Sequence, residues 1–258
     1  MSSEFSNIKV EVSDGVGTIL VNRPPLNILD QKTLIEIQKA LQQMKTNGEI
    51  NIIVLKTAGD RFFSVGVDVE QHLPEHAPKT LEAFNNVFKA LIDVDKPVIA
   101  VVQGSALGGG CEVAFACDVV IAVDSAKFGQ PEIQVGAVPT VAAGVLHHLI
   151  GQKRTFELLY TGDSISAKQA EQMGLINHAV PADQLDNIVN EFITKLKEHS
   201  PIMLRYIRRA IYESLYLDFM AAIEKSTEIY LDSLKNTEDA SEGLKAFLEK
   251  RKPEWKGK

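Results

Sequence analysis

The first hundred residues alternate between two hydrophobic periods. Residues 8–12 and 16–22 alternate or are rich in β-branched side chains on either side of a Ser-Asp-Gly turn, which predicts a β-hairpin. Apolar positions at helical spacing then predict a helix over 31–46, capped by Asp30. The apolar run over 50–58 predicts a buried strand, as in a parallel sheet.

Further along the chain, strands and helices alternate at first and helices alone follow. The segment 59–79 has no clear period and is predicted to be a long loop. Helices are predicted over about 80–94, 139–150, 152–160, 166–173, 182–199, 201–214, 218–235 and 239–250, and strands over 98–102 and 118–123. This order predicts an α/β core over residues 1–195 and a helical C-terminal region over 196–258.

Composition and charge exclude several classes of protein. The net charge is −7, from 27 Lys and Arg against 34 Asp and Glu, so we expect no nucleic acid as the main partner. No apolar run approaches the roughly 20 residues of a membrane span, so no membrane association is expected. The segment MSSEFSNIKV lacks the apolar centre of a signal peptide, and the cysteine count of two fits a reducing compartment. We therefore expect a cytoplasmic protein.

The candidate catalytic residues lie in one stretch, which runs from residue 98 to 135. A glycine run, 108–110, lies between a predicted strand and a predicted helix, where backbone amides lack helical partners and can face a ligand. Glu112 and Glu132 follow within the same stretch. Taken singly, each glutamate could be solvent-exposed or ion-paired, and the glycines could form a plain tight turn. Together they predict a polarised carbonyl flanked by two acid–base groups, as carbanion chemistry on a thioester requires.

Other familiar site patterns are absent from the sequence. The glycines do not form G-x-G-x-x-G or a P-loop, and Ser105 does not lie in G-x-S-x-G. Cys111 and Cys117 lack metal-ligand spacing and are interpreted as core residues. The four loop or helix histidines and Asp68 are interpreted first as surface or capping residues, with a pocket role left open for His72, His76 and Asp68.

Five segments in order carry a family resemblance: NRPPLN, RFFSVGVDV, GSALGGGCE, FGQPEIQVGAVP and EGLKAFLEKRKPEW. Together they resemble the enoyl-CoA hydratase/isomerase (crotonase) superfamily over nearly the whole chain. The resemblance implies an α/β fold with a crotonase-like spiral ββα core and a helical C-terminal trimerisation region. It also implies an acyl-CoA substrate, a homotrimer or homohexamer, and no metal or cofactor, coenzyme A being part of the substrate.

The resemblance also assigns roles to individual residues. The two glutamates that hold a water molecule would be Glu112 and Glu132. The oxyanion hole would use the backbone amides of Gly109 and Val67, where valine replaces the alanine usual in the family. Residues matching positions that contact coenzyme A are Pro24, Pro25, Leu26, Asp68, Phe247 and Lys250.

The expected activity is that of a hydro-lyase, because both glutamates are present and many isomerases of the family lack one. Glu112 is expected to act as base on the water and Glu132 to exchange a proton with carbon, although the division of roles stays open. The loop VDVEQHLPEH and the C-terminal ending are similar to cyclohexa-1,5-diene-1-carbonyl-CoA hydratases of anaerobic aromatic degradation. The alternatives are a straight-chain enoyl-CoA hydratase, an enoyl-CoA isomerase, and a non-catalytic acyl-CoA- or RNA-binding relative.

Overall fold

The structure, a computed structural model, describes residues 5–258. These residues form two compact units. The first contains the described residues through Val94 together with Val98–Val189, and the second contains Asp95–Pro97 and Asn190–Lys258. The first is a mixed α/β unit and the second is helical, so the predicted α/β class with C-terminal helices is confirmed.

The strands and helices follow one another in a regular order. The strands are β1 (Ile8–Ser13), β2 (Val16–Val21), β3 (Ile52–Thr57), β4 (Phe62–Ser64), β5 (Val98–Val102), β6 (Ser105–Leu107), β7 (Val119–Val123), β8 (Lys127–Gly129), β9 (Ser164–Ser166) and β10 (His178–Val180). The helices are α1 (Gln31–Thr46), α2 (Ala77–Asp93), α3 (Gly109–Phe115), α4 (Thr140–Ile150), α5 (Gln152–Thr161), α6 (Ala167–Gln172), α7 (Leu185–Lys197), α8 (Pro201–Ser214), α9 (Phe219–Asn236) and α10 (Glu238–Leu248). Short 3₁₀ helices cover Val69–His72, Pro131–Val135 and Ala182–Gln184.

The strands of the first unit form two sheets. The larger has the order β1-β2-β3-β5-β7-β10; β1 and β2 form the antiparallel hairpin and the remaining neighbours are parallel. The smaller has the order β4-β6-β8-β9, in which β4, β6 and β8 are parallel. Strand β5 is buried along its whole length, as expected for the centre of a parallel sheet covered on both faces.

A repeated ββα unit connects the two sheets. Strand β3 of the larger sheet is followed by β4 of the smaller one and then by α2, and the same order recurs as β5-β6-α3 and β7-β8-α4. Because β4, β6 and β8 are parallel neighbours, the segments that leave their C-terminal ends emerge at one edge of the smaller sheet. The candidate catalytic residues predicted from the sequence, within the stretch 98–135, lie at this edge.

The boundaries of the longer elements follow the sequence pattern closely. Helix α1 spans the predicted residues, and Asp30 Oδ1 accepts a hydrogen bond from the Thr33 amide at 2.8 Å. The prediction of an unstructured loop over 59–79 was wrong in part, because it contains β4 and a 3₁₀ helix and α2 already begins at Ala77. A three-residue strand has too few positions to reveal a period, and β6, β9 and β10 were missed for the same reason.

Two further observations concern the chain as a whole. Cys111 and Cys117 are both buried and form no disulfide, which confirms their interpretation as core residues. Within residues 5–258 no helix combines the length and apolar character needed to cross a bilayer.

Candidate active site

A cavity of about 450 Å³ lies in the first unit, at the C-terminal edge of β4, β6 and β8. Its wall is built from the loop that follows β4, the glycine turn between β6 and α3, the 3₁₀ helix that follows β8, and the start of α4; α2 contributes one side. Glu112 and Glu132 both line it. The ββα repeat therefore places the two predicted carboxyl groups on the wall of one cavity.

Glu112 lies on α3 and is 2% exposed. Its Oε1 accepts a hydrogen bond from the Ala142 amide at 2.7 Å, and the Val141 amide also contributes a hydrogen bond. Burial raises the pKa of Glu112 from 4.5 to about 7; the negative charge of Glu132 adds to the increase, while the two amides oppose it. A carboxyl group with this pKa is present in both protonation states near neutral pH.

Glu132 lies on the 3₁₀ helix that follows β8 and is 9% exposed. Burial raises its pKa above the usual 4.5. Its Oε2 is buried and makes no hydrogen bond with any described residue. Since buried polar atoms in folded proteins nearly always have a partner, this oxygen is suited to a water molecule or ligand within the cavity.

The glycine turn permits this approach of Glu132. Gly108 has φ +52°, a conformation that side chains other than glycine rarely adopt. A Cβ atom at Gly108 would lie 2.6 Å from Glu132 Oε1. The backbone conformation therefore favours glycine here, and a larger residue would also displace the Glu132 carboxyl group.

The two amides predicted to form an oxyanion hole are neighbours. Gly66, which precedes Val67, has φ +94°, and a Cβ there would lie 2.9 Å from the Gly109 nitrogen. Val67 and Gly109 both line the cavity. Within the described part of the chain, neither amide donates a hydrogen bond to the protein. Two unpaired N–H groups are thus available at the same wall to an oxygen atom of a ligand.

A buried asparagine that the sequence interpretation did not single out holds this loop in place. Asn27 is fully buried, and its Nδ2 donates to the carbonyl oxygens of Ala58 and Phe62 at 2.8 and 2.9 Å. The Ser64 hydroxyl donates to the Asn27 carbonyl at 2.8 Å and accepts from the Gly66 amide at 3.0 Å. The only signal for this role was the asparagine that closes the NRPPLN motif.

The residues predicted to contact coenzyme A within the first unit lie outside the cavity lining. Pro24, Pro25 and Leu26 are exposed, and the Leu26 carbonyl accepts a hydrogen bond from the Val65 amide at 3.1 Å. Asp68 caps the 3₁₀ helix that begins at Val69, since its Oδ1 accepts from the Glu70 amide at 3.1 Å. This exposed loop is thus joined by hydrogen bonds to the segment that carries Val67.

Phe247 and Lys250 belong to the second unit, at the end of α10. Phe247 is 83% exposed, and the Lys250 amide donates to the Phe247 carbonyl at 3.2 Å. Neither residue lines the cavity. Their predicted contact with coenzyme A of a neighbouring subunit stays a prediction.

The cavity wall also contains polar residues beyond the predicted ones. Gln71 and His72 contribute from the 3₁₀ helix after Asp68, so the pocket role left open for His72 agrees with its position. Thr80, Gln134 and Thr140 add further polar positions. In the described residues, no group of three or more His, Cys, Asp or Glu side chains is arranged to hold a metal ion.

Comparison with known proteins identifies the enzyme family to which this fold and site belong. Residues 11–258 match the family model described as enoyl-CoA hydratase/isomerase. The chain therefore belongs to the enoyl-CoA hydratase/isomerase family, within the crotonase superfamily that the sequence motifs resemble.

Individual relatives match over almost their whole lengths. The chain is 33% identical over 259 residues to the short-chain-enoyl-CoA hydratase of Clostridium acetobutylicum, covering 97% of this chain and 98% of the relative. It is 33% identical over 259 residues to the 2,3-dehydroadipyl-CoA hydratase of Escherichia coli strain K12, covering 98% and 100%. The crystal structure of an enoyl-CoA hydratase from Bacillus anthracis matches with a TM-score of 0.92 and 32% identity, covering 98% of this chain and all of that one.

Proposed function

We propose that this protein is an acyl-CoA hydratase, a hydro-lyase that adds water to a conjugated 2-enoyl-CoA thioester. The observation that carries the proposal is the position of Glu112 and Glu132 on one cavity that also presents the unpaired amides of Val67 and Gly109. Relatives of similar length that are named as hydratases support it. The family alone would also allow an isomerase, so the argument depends on the pair of carboxyl groups.

The thioester carbonyl oxygen would accept hydrogen bonds from the Val67 and Gly109 amides. Attack of the water oxygen on the β-carbon moves electron density onto the thioester carbonyl oxygen. The two amide donors therefore stabilise the enolate-like transition state more than the ground state. Loss of one such donor in other enzymes costs about 3–4 kcal/mol of barrier. Gly66 and Asn27 would serve this step indirectly by fixing the loop that carries Val67.

The glutamates would divide two proton transfers between them. Glu112 would accept a proton from the attacking water, because a pKa of about 7 places a general base close to the pH at which it works. Its carboxyl group is oriented by hydrogen bonds from the Ala142 and Val141 amides, the first to Oε1 at 2.7 Å. Glu132 would deliver a proton to the α-carbon, and burial favours its protonated form.

Two acyl groups are proposed, in order of support. A short straight chain comes first, because relatives are named for short-chain and crotonyl substrates. A cyclic dienoyl ring comes second, because Val65, Val67 and Val69 line the cavity on the loop whose sequence resembles cyclohexa-1,5-diene-1-carbonyl-CoA hydratases. These β-branched side chains form an apolar wall that suits a hydrocarbon ring as well as a chain.

The oligomer and the coenzyme A contacts belong to the same proposal. Helices α8 and α9 expose large apolar side chains, including Ile207, Ile211 and Phe219, each at least 56% exposed. Exposed apolar surface of this kind typically marks a protein–protein interface, which supports a homotrimer or homohexamer. In such an assembly Phe247 and Lys250 would contact coenzyme A bound to a neighbouring subunit. Sedimentation of the purified protein would test the subunit count.

The decisive experiment is a substrate panel followed at the absorbance of the conjugated thioester. Crotonyl-CoA, longer straight-chain 2-enoyl-CoA thioesters and cyclohexa-1,5-diene-1-carbonyl-CoA would be compared by kcat/KM. Products formed in H₂¹⁸O would be analysed by mass spectrometry. Incorporated ¹⁸O identifies hydration, a shifted double bond without ¹⁸O identifies isomerisation, and no turnover of any thioester would end the proposal of an enzyme.

The role of Glu132 has a direct test. Glu132→Gln keeps the side-chain shape but cannot deliver the proton, so we expect hydration to fall at least ~100-fold, the scale of acid–base catalysis. The matched control is Glu82→Gln, an exposed position on α2, which should retain full activity. Near-normal turnover by Glu132→Gln on the best substrate would remove Glu132 from the mechanism.

A further inference from the structure

The side of the cavity formed by α2 and the 3₁₀ helix before it is not uniformly apolar. Close to the proposed oxyanion hole it is apolar, since a Cβ atom at Gly109 would lie 3.0 Å from Phe84 Cζ. The rest of this side includes Gln71, His72 and Thr80, which line the same cavity. The proposed hydration step uses none of these three polar side chains.

Thr80 carries a buried hydroxyl group without a partner. The residue is 5% exposed, and its hydroxyl makes no hydrogen bond within the described residues. Thr80 precedes Phe84 by four positions in α2, so the two side chains lie on one face of the helix, about 6 Å apart along its axis. Because Phe84 lies beside Gly109, the Thr80 hydroxyl is about one helical turn from the thioester position.

The burial of Thr80 indicates which part of the substrate it would meet. The coenzyme A portion of a thioester is large and charged and must extend into solvent, whereas the acyl group occupies the inside of the cavity. A residue that is only 5% exposed and lines the cavity therefore faces the acyl group.

Gln71 and His72 add hydrogen-bonding groups on the same side. Gln71 Oε1 accepts a hydrogen bond from the Gln31 amide at 3.1 Å, which leaves the Gln71 Nε2 group as a donor. The imidazole ring of His72 keeps at least one N–H group in either tautomer. Three side chains on this side of the cavity, with Thr80 the most buried of them, can thus donate hydrogen bonds to a ligand.

The charges around the cavity restrict the chemistry of that ligand. Among the described residues, no Lys or Arg lines the cavity, whereas Glu112 and Glu132 do. A carboxylate on the acyl chain would lose hydration without gaining a fixed cation, which is costly. A plain hydrocarbon chain would leave the Thr80 hydroxyl unpaired, which also costs binding energy. An uncharged oxygen atom on the acyl chain avoids both costs.

We infer that Thr80 is a specificity-determining residue, selecting 2-enoyl-CoA thioesters whose acyl group carries an uncharged hydroxyl or oxo oxygen beyond the double bond. The Thr80 hydroxyl donates a hydrogen bond to this oxygen, and Gln71 and His72 supply further donors on the same side of the cavity. The inference rests on the proposed hydratase function and deepens it by naming a substrate class.

The test compares 2-enoyl-CoA thioesters of equal chain length that end in a hydroxyl group, a carboxylate or a methyl group. Each set is made at several chain lengths, and kcat/KM is measured with the full-length protein from the thioester absorbance. At the best length, we expect the hydroxyl-bearing thioester to exceed its methyl counterpart about 5- to 10-fold, the scale of one neutral hydrogen bond. The carboxylate-bearing thioester should have a lower kcat/KM than the hydroxyl-bearing one.

Three variants show whether Thr80 causes the preference. Thr80→Val keeps the shape and removes the hydroxyl, so the ratio of the hydroxyl-bearing to the methyl-bearing kcat/KM should fall to about one. Thr80→Ser keeps the hydroxyl and should keep the ratio within about twofold of the original. Thr194→Val is the control and should not change the ratio, because the Thr194 hydroxyl is exposed and bonds to the Asn190 carbonyl in its own helix.

Several results would overturn the inference and leave the hydratase function intact. These are equal kcat/KM values for the hydroxyl- and methyl-bearing thioesters at every length, a preference for the carboxylate, or an unchanged ratio in Thr80→Val. A merely structural role of Thr80 would lower kcat/KM for all thioesters alike and so leave the ratio unchanged. If valine disturbs α2, as seen by circular dichroism, Thr80→Ala takes its place. If the unmodified protein hydrates no thioester, the proposed function and this inference fall together.

Discussion

The buried Glu112 carboxyl group should make the protein less stable as the pH rises. Burial raises the pKa of this group in the folded protein from 4.5 to about 7. Between pH 4.5 and about 7 the folded protein holds a proton that the unfolded chain has released. The contribution of this proton to the free energy of unfolding is therefore complete below pH 4.5 and is lost as the pH rises through about 7. Since a tenfold change in proton affinity is worth about 1.4 kcal/mol, the full loss is about 3 kcal/mol.

Glu112→Gln removes this titration and should therefore stabilise the protein at alkaline pH. The glutamine oxygen can still accept from the Val141 and Ala142 amides, so the hydrogen bonds that hold α4 remain. Of the total loss, about 2 kcal/mol falls between pH 5.5 and pH 8 by the linkage relation. The free energy of unfolding of Glu112→Gln, minus that of the unmodified protein, should thus increase by about 2 kcal/mol over this interval.

Urea unfolding followed by far-UV circular dichroism measures the difference, at one fixed protein concentration because an oligomer's stability depends on it. Glu36→Gln is the control of opposite sign. Burial would raise the pKa of Glu36, but hydrogen bonds from the Asn7 and Ser6 amides and the Ser6 hydroxyl lower it below 4.5. The ionised Glu36 carboxyl group contributes its full stabilisation at pH values above 4.5. The free energy of unfolding of Glu36→Gln, minus that of the unmodified protein, should therefore not change from pH 5.5 to 8. A Glu112→Gln difference that is equally constant would refute the reasoning.

Three further predictions follow from the same geometry. Hydration by the unmodified protein should decline as the pH falls below about 7, because protonated Glu112 cannot accept a proton from water; a kcat/KM profile from pH 5 to 9 checks this. Gly108→Ala should reduce kcat at least ~100-fold by displacing Glu132, whereas Gly144→Ala, which meets no atom within 4 Å, should not. Asn27→Ala should lower the free energy of unfolding by about 2–4 kcal/mol in urea, because it removes the Asn27 amide donor from two part-buried backbone carbonyls and empties a fully buried site.

The sequence was most informative where the signal is local. The hairpin around Ser13 and the bounds of α1 follow from alternation and from the Asp30 cap, which act within a few residues of one another. Glu112 and Glu132 could also be named, because a glycine run before a helix and a carboxyl residue after Gln130-Pro131 are visible as motifs. The pattern also predicted that the two carboxyl groups act together, but it did not reveal which strands bring them to one cavity.

The missing information lies in β4, β6 and β8, each only three residues long. Such strands are specified by pairing with distant neighbours, as β6 pairs with both β4 and β8, rather than by a period of their own. The cavity forms where these three strands end. The central strands of the larger sheet have five or six residues, which is long enough for a hydrophobic period to be detected. The strands of the smaller sheet, which assembles the site, are too short for this.

Helix α4 nevertheless offered a signal that pointed to Glu112. A helix start normally carries Ser, Thr, Asp or Asn at the capping position, and here that position is Pro139, which makes no side-chain hydrogen bond. The orphan amides of the first turn must then find an acceptor elsewhere, and they find it 30 residues earlier in the chain. The helix amides favour the ionised carboxyl group and thereby offset part of the cost of burial, which keeps the pKa of Glu112 at about 7 rather than higher. An uncapped helix next to a buried glutamate is thus a physical reason to expect a general base that can ionise near neutral pH.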